Sequence, residues 1–526
     1  MINRELDNPF SVTKATEFSD QEINEYWVNF NIEDSQSIIN VLNPNELLPK
    51  YVLGSKGCGK THILRYFSYP TQKIRMNNDI EKLVSIDKYF GIYSVLDALN
   101  SSRFSGKSIS DEQWHSVFEY YFELHLATNF LLNLTDILAS LNNSVYDESI
   151  IAKDVFSIFY KNDSHNTINT VEGIKDFIIS LKRRIDFEIV NAPLKRTLDF
   201  ESVKLLFSPG DLIFGIPKII QRNIALLKDI KFIYILDEYE KLFEWQKIFI
   251  NTLVWDKKNP CTFWIGARKH GYTTRMTKSG EEIKAGSEFQ PIEIDLLIRK
   301  NEVLYKKFAK ELYINRLKKF YLNKGINFDA TSDFESKFEK YSDDKIIDQL
   351  KNKPELKHIK NLRNSLISYL EKNYKRHKIE RESDIQDYVN KLIAEILLQT
   401  NRNPIEEKSK IFLFYQRWYK LKPEETFDSV VRHINLEYSN YIQNLSSEFD
   451  NIKEKYKNDF LAQLTSENNI KNVCYSGIDD FINISWGNPR CFILILKKIV
   501  ELARLRGERP LESGSIISLE TQYLAT

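Results

Sequence analysis

A glycine-rich octapeptide near the start of the chain carries the clearest chemistry. Residues 54–61, Gly54-Ser55-Lys56-Gly57-Cys58-Gly59-Lys60-Thr61, match the pattern G-x-x-x-x-G-K-[ST] completely. Glycines at these positions let the backbone curl so that successive N–H groups point at phosphate oxygens, and a following helix adds its positive N-terminal dipole. In such a loop Lys60 neutralises the β- and γ-phosphates, and Thr61 offers a hydroxyl to Mg²⁺. The spacing therefore predicts that residues 54–61 bind the phosphates of ATP together with Mg²⁺.

An acidic pair further along the chain fits the same chemistry. Asp237 and Glu238 directly follow the apolar run of residues 232–236. At the carboxyl end of a buried strand, Asp237 is predicted to hold Mg²⁺, and Glu238 to orient or deprotonate an attacking water. The two acids could instead only cap the next helix. The phosphate-binding loop upstream favours the catalytic interpretation.

Two arginines are candidates for contact with the γ-phosphate. Arg268 follows the predicted strand at 262–266, and Arg490 closes the segment Gly487-Asn488-Pro489-Arg490, where proline favours a first helical turn. We expect both guanidinium groups to reach the γ-phosphate, although either could be an ordinary surface arginine. Arg275 is a second candidate that could act on a neighbouring subunit.

These side chains need a scaffold, and the remaining pattern predicts one. Short apolar runs at 48–53, 90–96, 232–236, 262–266 and 291–295 predict strands, and helical periodicity separates them. Strands that alternate with helices favour a mostly parallel sheet covered on both faces. Residues 301–480 are rich in Lys, Glu, Asn and Tyr at helical spacing, which predicts a helical region.

Composition restricts the class of protein. A chain of 526 residues predicts more than one domain. Its 74 basic and 73 acidic residues give no global reason to expect nucleic acid or membrane as a partner. No apolar run reaches about 18 residues, the N-terminus lacks a signal-peptide core, and the four cysteines lack zinc-site spacing. We therefore expect a reduced, cytoplasmic protein with no membrane partner.

The order of the motifs resembles the AAA+ ATPases, specifically the prokaryotic relatives of the origin-recognition-complex initiators. The resemblance rests on NPF at 8–10, GSKGCGKT at 54–61, YILDEYEKL at 234–242, FWIGARKHG at 263–271, GSEFQPIEID at 286–295 and GNPR at 487–490. It implies Walker A, Walker B, sensor-1 and sensor-2 roles for the residues above, and a place near the adenine for Asn8 and Phe10. It also implies an α/β fold, a P-loop NTPase parallel-sheet core with helical insertions and a helical lid, and assembly into homo-oligomers.

Long intervals between the motifs depart from a minimal AAA+ core. Lys60 and Asp237 lie much further apart than a strand–helix–strand crossover needs, which implies a helical insertion at roughly 105–205. A second insertion separates Arg268 from Arg490. The expected organisation is an N-terminal segment at 1–45, an ATPase core at 46–300, a helical domain or insertion at 301–480, and a lid segment at 481–526.

The motifs leave two purposes open. Similarity to initiators implies an ATP-hydrolysing protein that works on nucleic acid. An arginine at the sensor-1 position instead resembles the arrangement in STAND-type signalling switches. The sequence also leaves no room for a winged-helix domain after the lid. The alternative is therefore an antiviral switch that acts with an effector protein. A scaffold that binds ATP without hydrolysing it is a third possibility, against which Glu238 argues.

Two basic segments could meet DNA. Residues 351–381 carry ten basic residues against three acidic ones, with Tyr369 and Tyr374 interleaved. Basic side chains neutralise phosphates and aromatic rings stack on bases, although a solvated helix face would have the same composition. Residues 303–324 form a second basic amphipathic helix, whose apolar stripe is more typical of a core helix than of a membrane anchor.

Overall fold

The computed structural model describes residues 8–33, 36–141, 146–159, 168–197, 203–325, 333–340, 343–351, 353–397, 403–469, 475–512 and 514–526. These residues form two compact units, each made of two stretches of chain. Unit 1 comprises Met1–Glu335 and Ile478–Leu505, and unit 2 comprises Ser336–Gly477 and Arg506–Thr526. The first boundary therefore lies later in the chain than the expected one at residue 300.

Unit 1 is built on a five-stranded parallel sheet. In chain order the strands are β1 Lys50–Leu53, β2 Tyr89–Val95, β3 Lys231–Asp237, β4 Cys261–Ala267 and β5 Gln290–Glu293. Their order across the sheet is β2-β3-β4-β1-β5. All five predicted strands are therefore present, and the predicted parallel sheet is confirmed.

The register of the sheet brings the predicted chemistry to one edge. Leu53 at the end of β1 pairs with Ala267 at the end of β4, and Leu236 of β3 pairs with Ile265. Because all strands are parallel, the segments that follow β1, β3 and β4 leave from the same carboxyl edge. The P-loop, Asp237 and Arg268 therefore all lie at the carboxyl edge of the sheet.

Helices cover both faces of the sheet and complete unit 1. The P-loop runs directly into the helix Lys60–Tyr66, and the antiparallel pair Asn31–Glu33 and Gln36–Ser37 forms a small separate sheet. Further helices of this unit are Asp20–Glu25, Ile38–Leu42, Tyr69–Arg75, Asp111–Ser140, Glu148–Phe156, Val171–Lys195, Asp211–Asn223, Glu244–Trp255, Ile294–Arg299, Glu302–Asn323, Ile478–Ile484 and Pro489–Leu505.

The helical insertion between β2 and β3 is part of the main core. Its long helix Asp111–Ser140 packs on the sheet, where the rings of Phe130 and Phe232 are 5.2 Å apart between centroids. Buried residues of the insertion and of the strands belong to one continuous hydrophobic cluster. The helix Asp211–Asn223 leads to β3, and Gly210 at its N-cap adopts a left-handed φ of 90°.

Three helices of unit 1 form a lid: Glu302–Asn323, Ile478–Ile484 and Pro489–Leu505. The hydroxyls of Tyr305 and Ser485 lie 2.7 Å apart, and Lys310 forms an ion pair of 3.4 Å with Asp479. These contacts join the first lid helix to the second one and the residue after it, although most of unit 2 lies between these two helices in the sequence.

Unit 2 is helical, as predicted for most of residues 301–480. Leucine, isoleucine and aromatic side chains from successive helices form its own hydrophobic core. Residues Phe338 and Ile517 make a parallel bridge that fixes the last stretch of chain to this unit. Its helices are Asp343–Lys351, Lys357–Asn373, Ile385–Ile396, Pro404–Tyr419, Phe427–Ile442, Glu448–Glu467 and Leu519–Ala525.

The three cysteines among the described residues are not paired. Cys58 and Cys261 are buried free thiols, and Cys491 is an exposed free thiol. Cys474 lies outside the described residues. No helix among the described residues has the length and apolar character needed to cross a membrane.

Candidate nucleotide-binding site

The P-loop has the backbone that its sequence predicts. Gly57 and Gly59 have φ angles of 96° and 101°, which side-chain-bearing residues rarely adopt. The Lys60 ammonium donates to the carbonyls of Gly54 and Ser55 at 2.7 and 3.0 Å, so this cation lies against the loop. A Cβ on Gly59 would meet no heavy atom within 4 Å, so a ligand can approach the backbone there. The loop therefore has the shape and charge to hold phosphates.

Asp295 fixes the start of the loop and was not among the residues predicted from sequence. Its carboxylate accepts from the Ser55 backbone N–H at 2.5 Å and from the Ser55 hydroxyl at 2.7 Å. Asp295 follows β5, the strand beside β1. An acidic residue at the end of a predicted strand was the available signal, because parallel neighbours end at the same edge.

Asp237 ends β3 as a buried carboxylate, with 2% of its surface exposed. Its oxygens accept from the Tyr93 hydroxyl at 3.1 Å and from the Glu238 N–H at 2.9 Å. Burial raises the pKa of Asp237, whereas hydrogen bonding from Thr61 and the charge of Lys60 lower it. The two predicted metal ligands, Thr61 and Asp237, are thus brought together.

Glu238 stands at the turn after β3 with a left-handed φ of 63°. That conformation is uncommon for glutamate and directs the chain sharply away from the strand. Burial, together with the charge of Asp237, raises the pKa of the Glu238 carboxyl. A carboxylate with a raised pKa is a better proton acceptor, which suits the predicted role of activating water.

Arg268 follows β4 and forms an ion pair with Glu240. Its Nε lies 3.0 Å from Glu240 Oε1, and its backbone N–H donates to Glu240 Oε2 at 3.2 Å. The side chain is about half exposed and belongs to the wall of the same cavity as Lys60 and Glu238. Arg275 is exposed, with its guanidinium carbon 5.9 Å from the centre of the Tyr272 ring.

The segment containing Arg490 packs directly on the P-loop. The Asn488 side chain donates to the Lys56 carbonyl at 3.1 Å, and the Arg490 N–H donates to the Gly57 carbonyl at 3.3 Å. A Cβ on Gly57 would approach Asn488 Oδ1 to 2.7 Å and Arg490 Cβ to 2.8 Å. Only glycine therefore fits at Gly57 without displacing the start of the lid helix.

One cavity of about 420 Å³ joins these residues. Its polar end is formed by the P-loop, Asp237, Glu238, Arg268 and Arg490. Its other end is lined by aromatic and aliphatic side chains together with one arginine: Phe18, Tyr26, Trp27, Phe30, Ile38, Phe308, Leu312 and Arg316. Such a division suits a ligand with charged phosphates at one end and a flat base at the other.

Asn8 and Phe10 lie behind this wall rather than in it. Phe10 is fully buried, its ring centroid 6.1 Å from that of Phe334, and the Asn8 side chain donates to the Lys497 carbonyl at 3.2 Å. Residues 13–16 and Phe18 line the cavity instead. Asn8 and Phe10 therefore hold this segment in place, and their predicted position near the adenine stays a prediction.

Two further side chains fasten the N-terminal segment. Arg65, in the helix that follows the P-loop, donates to the carbonyls of Ala15 and Phe18, both at 2.7 Å, and pairs with Asp20 at 2.6 Å. Lys497 of the lid donates to the Ser11 carbonyl at 2.9 Å. The segment is thus bonded to both the P-loop helix and the lid.

The residues present fit a nucleotide with Mg²⁺. The open backbone at Gly59 and the Lys60 cation suit phosphate oxygens, and the oxygen ligands Thr61 and Asp237 suit Mg²⁺. Gly54, Ser55, Lys56, Gly57 and Cys58 complete the loop, although the Ser55 N–H and hydroxyl are already bonded to Asp295.

The comparison with protein families agrees with this geometry. A family model described as ORC-CDC6-like matches residues 8–526. The chain belongs to the ORC-CDC6-like family. The match supports an AAA+ ATPase with a P-loop that binds ATP. Searches of curated proteins and of solved structures give no match.

The basic segments lie in different units. Most of residues 303–324 form the lid helix Glu302–Asn323, whose buried residues include Tyr305, Tyr313 and Leu317. In unit 2, the helix Lys357–Asn373 presents exposed lysines to solvent.

The two tyrosines of the basic segment 351–381, which the sequence offered as possible stacking partners for bases, are only partly exposed. Tyr369 and Tyr374 pack against the hydrophobic core of unit 2, and Tyr369 meets Trp418 edge-on at 5.2 Å between ring centroids. The helix turns these rings inward because the apolar face of an amphipathic helix is the face that it buries.

Proposed function

We propose that this protein hydrolyses ATP and transmits the state of the nucleotide through the lid helix Pro489–Leu505. The observation that carries the proposal is the contact between Asn488, Arg490 and the P-loop backbone, beside the catalytic carboxylates. A change at the γ-phosphate would alter the positions of the loop and of Arg490 together.

In this proposal each side chain has one task. Lys60 and Arg490 bind phosphate oxygens, and Glu238 accepts a proton from the attacking water. Thr61 and Asp237 would hold Mg²⁺, which neutralises charge on the phosphate oxygens when it is bound. Arg268, released from Glu240, would contact the γ-phosphate and stabilise negative charge in the transition state.

We further propose that the protein acts on nucleic acid through unit 2. Lys357, Lys360, Lys372 and Lys375 are exposed. With 3.6 residues per turn the first three lie on one side of the helix Lys357–Asn373, and Lys375 lies in the turn after it. Glu371 is the one acidic residue between Lys357 and Lys375, so the exposed cations outnumber it, and such an excess of positive charge attracts a phosphate backbone independently of base sequence. Because the tyrosines face inward, we expect contacts to phosphates rather than stacking on bases.

A signalling switch that acts with an effector protein is a second candidate, and one observation favours it. Phe187, Val190 and Leu194 are 62%, 73% and 85% exposed on the insertion helix Val171–Lys195. Their spacing places them on one face, and exposed apolar faces of this kind often bind other proteins. A partner bound there would contact the helical insertion between β2 and β3. In both candidates the active form would be an oligomer, because a neighbouring subunit commonly completes an AAA+ site.

ATP hydrolysis measured with and without single- and double-stranded DNA tests these proposals. The Lys60→Ala variant should lose turnover, whereas Lys228→Ala, a change at an exposed lysine, should not. Turnover that rises with DNA, and that loses this response when Lys357, Lys360, Lys372 and Lys375 become alanine, would support action on nucleic acid. Turnover that is indifferent to DNA would favour the protein partner, and turnover unchanged in Lys60→Ala would refute the proposed site.

A further inference from the structure

A buried cation without an anionic partner forms part of the wall of the nucleotide cavity. Arg316, in the lid helix Glu302–Asn323, is only 6% exposed and lines the aromatic end. Within the described parts of the chain no carboxylate lies within ion-pair distance of it. Arginine is almost never fully buried unless it is paired, because removing its charge from water is costly.

The hydrogen-bonding capacity of Arg316 is only partly used by the protein. Nη1 donates to the Val12 carbonyl at 2.7 Å, whereas Nε is enclosed without an acceptor. No described residue accepts from Nη2. A guanidinium has five N–H donors and no acceptor, so most of the donors of Arg316 have no partner in the protein.

Aromatic rings surround the guanidinium. Its central carbon lies 5.2 Å from the ring centre of Phe18 and 5.3 Å from that of Tyr26, distances at which cation–π attraction stabilises the charge. Burial lowers the pKa of Arg316 to about 10, so the side chain stays charged at neutral pH. The carboxylate of Glu22 attracts this charge from beyond ion-pair distance, so the site keeps a cation without a counter-ion in direct contact.

Two features indicate what this end of the cavity would bind. The indole N–H of Trp27 is a second enclosed donor without an acceptor, and the Trp27 ring stacks on Tyr66 at 3.7 Å. The acidic residues in the cavity wall, Asp237, Glu238 and Glu240, all lie at or beside the turn after β3. The aromatic end thus offers donors and flat rings, which match a planar group that carries acceptor atoms.

We propose that Arg316 recognises the nucleobase, by donating a hydrogen bond to an acceptor atom of a purine ring that lies among the aromatic side chains. The inference rests on the proposed function, which assigns the phosphates to the P-loop end. Adenine carries ring nitrogens with free lone pairs, and an arginine that meets one of them would distinguish ATP from a base-free triphosphate.

Binding of Mg²⁺·ATP and of Mg²⁺·tripolyphosphate, measured by calorimetry, tests this role. In Arg316→Met the affinity for ATP should fall by about tenfold or more, because a hydrogen bond from a charged donor is lost, while the affinity for tripolyphosphate stays the same. Lys318→Met is the matched control, since Lys318 is exposed on the same helix and does not belong to the cavity wall. If Arg316→Met lowered the affinities for ATP and tripolyphosphate equally, Arg316 would have only a structural role and the proposal would be overturned. An unchanged affinity for ATP would also overturn it.

A second measurement changes the ligand, so its main comparison is made on the wild-type protein. Analogues of ATP in which N1, N3 or N7 is replaced by C–H each remove one acceptor. Binding of one analogue to the wild-type protein should weaken by about tenfold or more, and the same analogue should bind no more weakly than ATP to Arg316→Lys, which lacks the planar donor fork. Equal affinity of the wild type for ATP and all three analogues would overturn the proposal. A wild-type protein that bound neither ATP nor tripolyphosphate would overturn the proposed function as well.

Discussion

The side chain of Asn488 donates to the backbone carbonyl of Lys56 at 3.1 Å, across 432 positions of sequence. The same side chain accepts from the Cys491 N–H at 3.2 Å and so caps the lid helix Pro489–Leu505. One amide group therefore both starts the lid helix and holds it against the P-loop. A displacement of the loop backbone would be passed to the helix through this group.

Replacing Asn488 with alanine should weaken both connections. Loss of the cap is expected to cost about 1 kcal/mol of stability. Loss of the bond to Lys56 should make the lid less responsive to nucleotide, so that the rise in melting temperature caused by ATP becomes smaller than in the wild type. Thermal unfolding with and without ATP measures both effects. Asn483→Ala, at an exposed position in the preceding lid helix, is the control and should behave as the wild type. An ATP-dependent rise in Asn488→Ala equal to that of the wild type would contradict the proposed coupling.

Glu238 gives a prediction on the rate of hydrolysis and its pH dependence. Glu238→Gln should lower turnover by about a hundredfold or more while ATP still binds, because the general base is lost. Burial and the charge of Asp237 raise the pKa of Glu238, and only the ionised form accepts a proton. Wild-type turnover should therefore fall, as pH decreases, at a higher pH than an ordinary glutamate would produce.

Steady-state turnover measured across pH, with ATP binding measured in parallel, checks this assignment. Glu244→Gln is the control, since Glu244 is exposed at the start of the next helix. Full activity in Glu238→Gln would exclude Glu238 as the base.

Arg268 and its neighbour Lys269 form a matched pair for testing the sensor role. Both are exposed cations after β4, but Arg268 pairs with Glu240 in the cavity wall, whereas Lys269 pairs with Glu293 at 2.7 Å. Arg268→Ala should lower kcat by about tenfold or more with little change in ATP affinity, because the contact is made in the transition state. Lys269→Ala should keep wild-type kcat. Similar values of kcat for the two variants would show that Arg268 is a surface residue.

The scaffold was predictable because its signals are local. The strands β1, β3 and β4 are short, mostly apolar runs buried on both faces, and the P-loop motif occupies consecutive residues. The division into units was not predictable in the same way. The helix Glu302–Asn323 belongs to the lid of unit 1 because its buried tyrosines pack on distant residues such as Ser485 and Phe492, which periodicity does not reveal.

The candidate site shows the same limit. Lys60, Thr61, Asp237 and Glu238 line one cavity, and their roles there stay predictions. Arg316 was not predicted, because a lone arginine in a basic helix resembles a solvated residue until the fold buries it against Phe18 and Tyr26. Its role depends on burial and on a missing counter-ion, and neither is visible in one sequence.

Glu123 gives a prediction on stability at neutral pH. It is a fully buried carboxyl in the insertion helix Asp111–Ser140, and it accepts from the Gly210 N–H at the start of the helix Asp211–Asn223. Burial raises its pKa to about 8, against the effect of backbone N–H groups, and nearby Asp211 raises it further. The folded protein therefore holds this proton more tightly than the unfolded chain, whose glutamate has a pKa of about 4.5. As pH rises from about 4.5 to about 8, Glu123 ionises in the unfolded chain but keeps its proton in the folded protein. Ionisation therefore stabilises the unfolded state, and the free energy of unfolding decreases.

Glu123→Gln removes this titration while keeping an oxygen to accept from Gly210. Between pH 5.5 and 8.5, the melting temperature of the variant should therefore rise relative to that of the wild type, with most of the change complete near pH 8. Thermal unfolding across this interval measures the difference, in which titrations common to both proteins cancel. Glu112→Gln, an exposed change near the start of the same helix, should show no such trend. A constant difference between Glu123→Gln and the wild type across the interval would mean that Glu123 is already ionised in the folded protein, with its charge balanced by the helix N-terminus.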